Sequence, residues 1–299
     1  AGPVILGIGF PNPIGWAIDK VTGFVGGVAT AGFEMIIGGL VAWVVDAVQR
    51  LATHLVDLGN DGLVVNGTTG EAPTTTDAEK AQAVRTVVDA VGDRARVIAG
   101  VGTNDTAHSA ELARQAQAAG AHGLLAVTPY YNKPPQDGIL QHFRAVADAT
   151  DLPVMLYDIP GRSAAEIATG TLIALAEHPN IVAVKDAKAD LAASARVLSA
   201  TDLLWYSGDD VLNLPLLSLG ATGFVSVSGH FIAPALVALR DAFLAGDTET
   251  ARAVHFATLP VTDAICVTQA AMTVKGVLNR RGLPAGPVRG PLVAASVAQ

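Results

Sequence analysis

The stretch "HPNIVAVKDAKAD", residues 178–190, places a lysine inside an otherwise apolar strand pattern. Residues 181–184 predict a buried strand, and Lys185 follows where the apolar run should continue. Burial disfavours the charged form of an amine, and a neutral amine can attack a carbonyl carbon to form a Schiff base. The alternative is a structural lysine paired with Asp186 or with an acid on a neighbouring strand. Adjacent strand residues point to opposite faces, which weakens the pairing with Asp186.

Hydroxyl, phenol and guanidinium groups follow other apolar runs. "NGTTGEAPTTT" (66–76) is a glycine-punctuated loop whose hydroxyls and N–H groups suit a small carboxylate, although a plain strand-to-helix turn has the same composition. "YDIPGR" offers a tyrosine to relay protons and an arginine to clamp a carboxylate, or two ordinary structural residues. The candidates at predicted strand ends are Thr68, Thr69, Tyr130, Tyr131, Tyr157, Arg162, Lys185, Gly208, Asp209 and Asp210.

These residues need a scaffold that brings strand ends together. From residue 60 onward, short apolar runs alternate with stretches of helical periodicity, which predicts a parallel sheet covered by helices. Seven such units indicate an α/β fold of the (β/α)8 TIM-barrel type, whose active site lies at the carboxyl ends of the strands. The predicted strands are "GLVVNG" (62–67), "RVIAGVG" (96–102), "GLLAVTP" (123–129), "PVMLYDIP" (153–160), "IVAVKDA" (181–187), "LLWYSGDD" (203–210) and "GFVSVSG" (223–229).

Helix signals support this alternation. Thr76 stands three residues before Glu79, a capping box that opens a helix over 77–91, and a second helix over 105–119 ends at Gly120. After the seventh strand, three helices are predicted over 232–245, 248–264 and 265–281. We therefore divide the chain into a barrel over 49–231 and a C-terminal helical region over 232–299.

Residues 1–48 are atypical for a barrel. "VILGIGF" (4–10) is the candidate for the missing eighth strand. Residues 21–45 are rich in glycine, long enough to span a bilayer, and carry one charge, Glu34. Membrane contact through 21–45 is one interpretation. The other is an irregular strand and helix buried against the barrel.

Composition excludes several classes of function. A net charge of −8 and a pI near 5.3 argue against a nucleic-acid surface. The single cysteine, Cys266, favours a reducing compartment, which is the cytoplasm. The seven histidines form no ligand-spaced cluster, so no tightly bound metal is expected.

Five motifs narrow the function. "GTTGE", "TPYYNKP", "YDIPGR", "VKDA" and "SGDD" occur in this order, and together they resemble the dihydrodipicolinate synthase and N-acetylneuraminate lyase family of class I aldolases. The resemblance runs from about Arg50 to the C-terminus and does not include residues 1–48. It implies that Lys185 forms the Schiff base with pyruvate and that no cofactor is needed. The double threonine and the "PGR" arginine are similar to the branch that condenses pyruvate with L-aspartate 4-semialdehyde, which opens diaminopimelate and lysine biosynthesis.

The resemblance also implies roles for the catalytic hydroxyls. Thr68 and Thr69 match the positions that bind the pyruvate carboxylate and pass protons through a hydroxyl. Tyr157 matches the tyrosine that relays protons during imine formation. Tyr131 matches the tyrosine that reaches into the site of a neighbouring subunit, as expected for a homotetramer built from tight dimers.

The remaining matched positions contact substrate. Arg162 matches the arginine that holds the carboxylate of the second substrate, and Val225 matches an aliphatic residue whose carbonyl lies beside the lysine. Gly208, in "SGDD", is the further candidate for substrate binding. Two alternatives remain at this point: another pyruvate aldolase or lyase acting on a sugar acid, and an inactive membrane-associated protein with a disrupted barrel.

The resemblance includes a regulatory pocket for lysine. Lys80 would put a cation where the ammonium group of the effector is unwelcome, which predicts weak or absent feedback. The positions that match this pocket are Ala72, Lys80, Asn104, His108 and Tyr130.

Overall fold

The computed structural model describes the backbone of residues 4–8 and 30–296 and the side chains of 44–296. Eight parallel strands close into a barrel in chain order, with helices outside. The seven strands predicted from residue 60 onward are all present, and the (β/α)8 fold is confirmed. The strands are β1 Val4–Ile8, β2 Gly62–Val65, β3 Arg96–Gly100, β4 Gly123–Val127, β5 Val154–Asp158, β6 Ile181–Asp186, β7 Leu204–Ser207 and β8 Gly223–Ser226.

Strand β1 closes the barrel and lies within the apolar run 4–10. Ile5 lies opposite Gly62 of β2 on one side and opposite Val225 of β8 on the other. The barrel therefore has no open edge between β8 and β2, and the alternative of a disrupted barrel is wrong. The described residues contain no helix with the length and hydropathy needed to cross a bilayer. Residues 21–29 of the proposed membrane segment lie outside the described residues.

The helices follow the strands in the expected alternation. They are α1 Thr30–Asp57, α2 Asp77–Val91, α3 Thr106–Ala118, α4 Gln136–Ala147, α5 Pro160–Ser163, α6 Thr169–Leu175, α7 Leu191–Leu198, α8 Asn213–Ser218, α9 Gly229–Leu244, α10 Thr248–Ile265 and α11 Ala270–Arg280. The capping box of Thr76 and Glu79 opens α2 as predicted.

The last predicted helix begins later than the sequence suggested. We predicted a helix from residue 265, but α10 ends at Ile265 and α11 starts at Ala270. The side chain of Gln269 accepts a hydrogen bond from the N–H of Ala271 at 2.6 Å. This cap satisfies a free donor of the first turn of α11 and so separates the two helices.

Two apolar layers hold the barrel together. Strand residues that point outward, such as Val184 and Trp205, pack in one large cluster with the surrounding helices. Strand residues that point inward form a smaller cluster that fills the barrel, and it includes Ala183, Tyr206 and Val225. This alternation follows from the two-residue period of a strand.

The C-terminal half of α1 belongs to the outer layer. Its residues Val44, Val48, Leu51 and Leu55 recur at helical spacing and are buried in the large cluster. Asp46 and Arg50 lie on the opposite, exposed face, where they form an ion pair. This part of the helix is amphipathic and packs against protein.

Replacing Leu51 with alanine tests this packing. We expect the free energy of unfolding to fall by about 2–5 kcal/mol, because the substitution leaves a cavity in the layer. Urea unfolding monitored by circular dichroism measures the loss. Arg50→Ala on the exposed face is the control and should change the value by about 0.5 kcal/mol or less. Equal, small losses for both variants would contradict packing of α1 against the barrel.

Candidate active site

Lys185 points into the barrel because of its position in β6. Ala183, two residues earlier, belongs to the inner cluster, whereas Val184 belongs to the outer layer. Lys185 therefore shares the inner face, and it is only 8% exposed. An ammonium group so placed lies among apolar side chains near the carboxyl end of its strand, where barrel enzymes carry out their chemistry.

Two tyrosines flank this lysine. Tyr157 of β5 and Tyr206 of β7 lie opposite Lys185 in the strand register. The Nζ atom of Lys185 lies 4.1 Å from the centre of the Tyr157 ring, a cation–π contact that offsets part of the cost of burying the charge. Thr128, the residue after β4, holds Tyr157, since both its N–H and its hydroxyl donate to the Tyr157 carbonyl at 3.0 Å.

Gly208 leaves the space that Lys185 occupies. A Cβ atom at this position would lie 2.9 Å from Cγ and 3.0 Å from Cε of Lys185. Its N–H donates to the carbonyl of Asp186 at 2.7 Å, which brings the end of β7 close to β6. Val225 of β8 is fully buried in the inner cluster with Tyr157. Lys185, Tyr157, Gly208 and Val225 are therefore brought together.

Asp186 is not the charge partner of Lys185. Its carboxylate points outward, where it accepts hydrogen bonds from the Ser194 hydroxyl at 2.6 Å and from the indole N–H of Trp205 at 3.1 Å. It also accepts from the N–H of Lys188 at 2.9 Å. These donors satisfy the buried carboxylate, and its outward direction agrees with the opposite faces that strand alternation predicts for Lys185 and Asp186.

Thr68 and Thr69 lie in a turn directly after β2. The N–H of Glu71 donates to the Thr68 carbonyl at 3.1 Å, which closes the turn. Thr69 is 5% exposed. Because all strands are parallel, this turn lies at the same end of the barrel as Lys185.

Tyr131 and Arg162 are exposed and lie outside the buried inner cluster. Tyr131 is 87% exposed, and its backbone has a φ of 74°, an unfavourable value for a residue with a side chain. Arg162 lies in α5 and is exposed. The N–H of Tyr131 donates to the Ser163 carbonyl at 3.3 Å, so the two loops are in contact.

The second acid of "SGDD", Asp210, has a structural role. One carboxylate oxygen of Asp210 accepts from the N–H groups of Val227 at 3.2 Å and Ser228 at 2.9 Å, and the other accepts from the Asn213 amide. Asp210 thereby ties the end of β7 to the loop after β8. Within the described part of the chain, no group of three His, Cys, Asp or Glu residues is close enough to hold a metal ion.

Comparison with known proteins gives the family. The model of the dihydrodipicolinate synthetase family matches residues 44–299. The chain belongs to this family. It is 63% identical over 248 residues to 4-hydroxy-tetrahydrodipicolinate synthase 2 of Streptomyces coelicolor, covering 83% of each chain. It is 59% identical over 254 residues to 4-hydroxy-tetrahydrodipicolinate synthase of Acidothermus cellulolyticus, covering 85% of this chain and 82% of that one.

Solved structures of the family have the same fold. The crystal structure of DHDPS from Cyanidioschyzon merolae with lysine bound matches with a TM-score of 0.87 at 39% identity, covering 99% of this chain and 94% of that one. The structure of the chloride-inhibited enzyme from Acinetobacter baumannii in complex with pyruvate matches with a TM-score of 0.85 at 30% identity, covering 99% and 94%.

Sequence reasoning missed several residues that support the site. Some are neighbours in the strand register, which β-strand alternation could have identified. Others come from distant segments and leave no local signal. The missed residues are Thr128, Tyr206, Asp158, Glu71, Lys275 and Arg289.

Asp158, the residue after Tyr157, is a buried acid behind the site. Its carboxylate is 2% exposed and accepts a hydrogen bond from the N–H of Ile167 at 3.1 Å. Burial raises the pKa of Asp158 to about 7, because the lowering effects of the Ile167 hydrogen bond and the nearby Lys188 are smaller. Lys188 itself forms an ion pair with Glu166 at 2.9 Å.

The raised pKa of Asp158 makes stability depend on pH. Between about pH 4 and pH 7 the folded chain keeps a proton that the unfolded chain releases, so the free energy of unfolding falls as pH rises through this window. We compare the free energy of unfolding of Asp158→Asn with that of wild type at pH 5 and at pH 8. From the lower to the higher pH, the difference should shift by roughly 2 kcal/mol in favour of the variant, since one pKa unit corresponds to about 1.4 kcal/mol. Urea unfolding at the two pH values measures this. Parallel pH dependences would show that Asp158 ionises freely.

Proposed function

We propose that this chain condenses pyruvate with L-aspartate 4-semialdehyde through a Schiff base on Lys185, and so acts as a 4-hydroxy-tetrahydrodipicolinate synthase. The observation that carries the proposal is the buried Lys185 amine, held over the Tyr157 ring at the mouth of a closed barrel. The names of the relatives, at 57–63% identity, support the same reaction.

The first half of the reaction uses the inner cluster. The Lys185 ammonium gives a proton to the relay of Tyr157 and Thr68, the neutral amine attacks the ketone carbon of pyruvate, and loss of water gives the imine. The protonated imine makes the methyl carbon acidic, and removal of one proton gives the enamine. Tyr157 and Thr68 pass these protons, and the turn containing Thr69 holds the carboxylate of pyruvate. The apolar walls exclude water, which strengthens the electrostatic interactions inside.

The second half joins the two substrates. The enamine carbon attacks the aldehyde carbon, a C–C bond forms, and the former aldehyde oxygen becomes a hydroxyl. The amino group of the second substrate then attacks the imine carbon, closes the ring and releases Lys185. Arg162 holds the carboxylate of this substrate at the exposed rim.

Tyr131 belongs to the site of a second copy of the chain. Its 87% exposure and its strained backbone support this assignment, since strain persists where the surrounding structure and function require it. A pair of chains that exchange Tyr131 is the tight dimer, and two dimers form the homotetramer.

Borohydride reduction in the presence of pyruvate tests the proposal. We expect wild type to gain one pyruvate adduct on the peptide containing Lys185, measured by mass spectrometry, because borohydride converts the imine to a stable amine. Lys185→Arg should lose the adduct. Lys188→Arg, a change three residues away outside the barrel, should keep it. A folded wild-type protein without adduct would overturn the proposed mechanism.

The acceptor is tested separately. Pyruvate and aspartate semialdehyde together should give the cyclic product, followed by its absorbance after dehydration or by coupling to a reductase. Cleavage of a sugar acid with no condensation activity would instead support the lyase alternative.

Lys80 supports the expectation of weak feedback by lysine. Its ammonium group donates to the carbonyl of Thr75 and lies 4.0 Å from Asp77. Asp77 also accepts a hydrogen bond from His108 at 3.0 Å. The acid at this position thus already has two partners, and a second ammonium group would meet the Lys80 cation.

A lysine titration measures this feedback. We expect less than about a twofold loss of activity at millimolar lysine, because the repulsion opposes binding. Calorimetry should likewise detect no tight binding. The Cyanidioschyzon merolae protein, whose crystal structure contains bound lysine, is the positive control for binding. Strong inhibition would contradict the prediction.

A further inference from the structure

The turn that carries Thr68 and Thr69 ends in a strained residue. Glu71 has a φ of 56°, in the left-handed region that disfavours side chains. Its N–H closes the turn onto the Thr68 carbonyl, and its own carbonyl accepts from the N–H of Thr74 at 3.0 Å. A strained backbone of this kind persists only when other contacts hold it in place.

The contacts that hold Glu71 come from the C-terminal region. Its carboxylate forms an ion pair with Lys275 of α11, a residue 204 positions away, and the two side chains are 2% and 3% exposed. The second carboxylate oxygen accepts from the N–H of Arg289 at 2.7 Å. Lys275 also donates to the carbonyl of Pro287 at 3.0 Å, so the ammonium links the turn to the C-terminal segment.

A second tether joins the same segment to Thr74 and to Glu79 of α2, and it does not use the Glu71 side chain. The guanidinium of Arg289 donates to Glu79 at 2.5 and 3.0 Å and to the carbonyl of Thr74 at 2.8 Å. The side chain of Arg289 and its backbone N–H therefore serve different partners. This separation offers a matched control for the role of Glu71.

We propose that Glu71 and Lys275 are positioning residues for Thr68 and Thr69, so that the C-terminal helical region sets the geometry of the pyruvate site. The inference rests on the proposed roles of the two threonines. The buried pair fixes the orientation of Glu71, the fixed Glu71 closes the turn, and the turn orients the hydroxyls and N–H groups that receive the carboxylate. Neither residue touches substrate.

Removal of the pair should raise KM for pyruvate and leave KM for the semialdehyde nearly unchanged. A displacement of the turn by about 1 Å can reduce reactivity by up to about a hundredfold, because imine formation needs close alignment. We therefore expect KM for pyruvate to rise about tenfold or more when the pair is removed. KM for the semialdehyde should change little, since Arg162 lies in α5 after β5 and not in the turn after β2.

The test uses the double variant Glu71→Gln/Lys275→Met in the full chain. Removing both charges avoids the unpaired buried charge that either single truncation would leave. Glu71→Gln alone is the second variant, because its amide oxygen can still accept from Lys275. Arg289→Met is the control, since it cuts the tether to α2 and leaves the backbone N–H to Glu71. Thermal unfolding, borohydride trapping over a range of pyruvate concentrations, and KM for each substrate are measured for all.

The expected result is a folded double variant with a selective rise in the pyruvate concentration for half-maximal trapping, and an Arg289→Met variant within about twofold of wild type. A folded double variant that traps pyruvate as wild type does would overturn the inference and leave the proposed function intact. If Arg289→Met shifts the pyruvate concentration for half-maximal trapping as much as the double variant does, the effect comes from attachment of the C-terminal segment. That result would also overturn the inference. Loss of folding in both Glu71 variants would make the pair a folding element and would overturn its assignment as a positioning pair. Wild type that traps no pyruvate would overturn the proposed function and this inference together.

Discussion

The burial of one ammonium group inside a closed barrel is the constraint on which the site depends. Lys185 lies among apolar side chains, and a charge there is costly unless its surroundings compensate. The Tyr157 ring provides part of the compensation, and the absence of a side chain at Gly208 provides the room. The outer layer of helices keeps these strands in register, so the stability of the whole barrel supports the placement of one amine.

The chemistry-bearing strands were predictable because strands have a period of two. Apolar runs predict strands β2 to β8, and the capping box at Thr76 predicts the start of α2. Strand alternation predicts that Lys185 and Asp186 face opposite sides. The motif residues Lys185, Tyr157 and Gly208 meet in the barrel as their strand positions required. Strand β1 was harder to predict, since its short run is followed by sequence unlike a barrel unit.

Long-range contacts were not predictable. The ion pair of Glu71 and Lys275 joins residues that are far apart in sequence, and neither residue has a local signal of its partner. Glu71 even stands at a left-handed position where propensity favours glycine. The sequence also gave no reason to expect Asp158 to be a buried acid, because its burial depends on the loop that begins after β5. In each of these cases, tertiary contacts determine a feature that the local sequence does not predict.

The closure of the barrel has a consequence for synthesis of the protein. Val4, near the N-terminus, pairs with Phe224, and the turn after β2 binds the backbone of Arg289. Neither contact can form during synthesis until its later residue, Phe224 or Arg289, has left the ribosome. Strands β1 to β7 can pair in chain order as they are made, whereas the pairing of β8 with β1 joins the first and last strands and carries the largest loop entropy. Until β8 pairs with β1, the incomplete barrel exposes the free edges of β1 and of the last strand made, and the site cannot assemble.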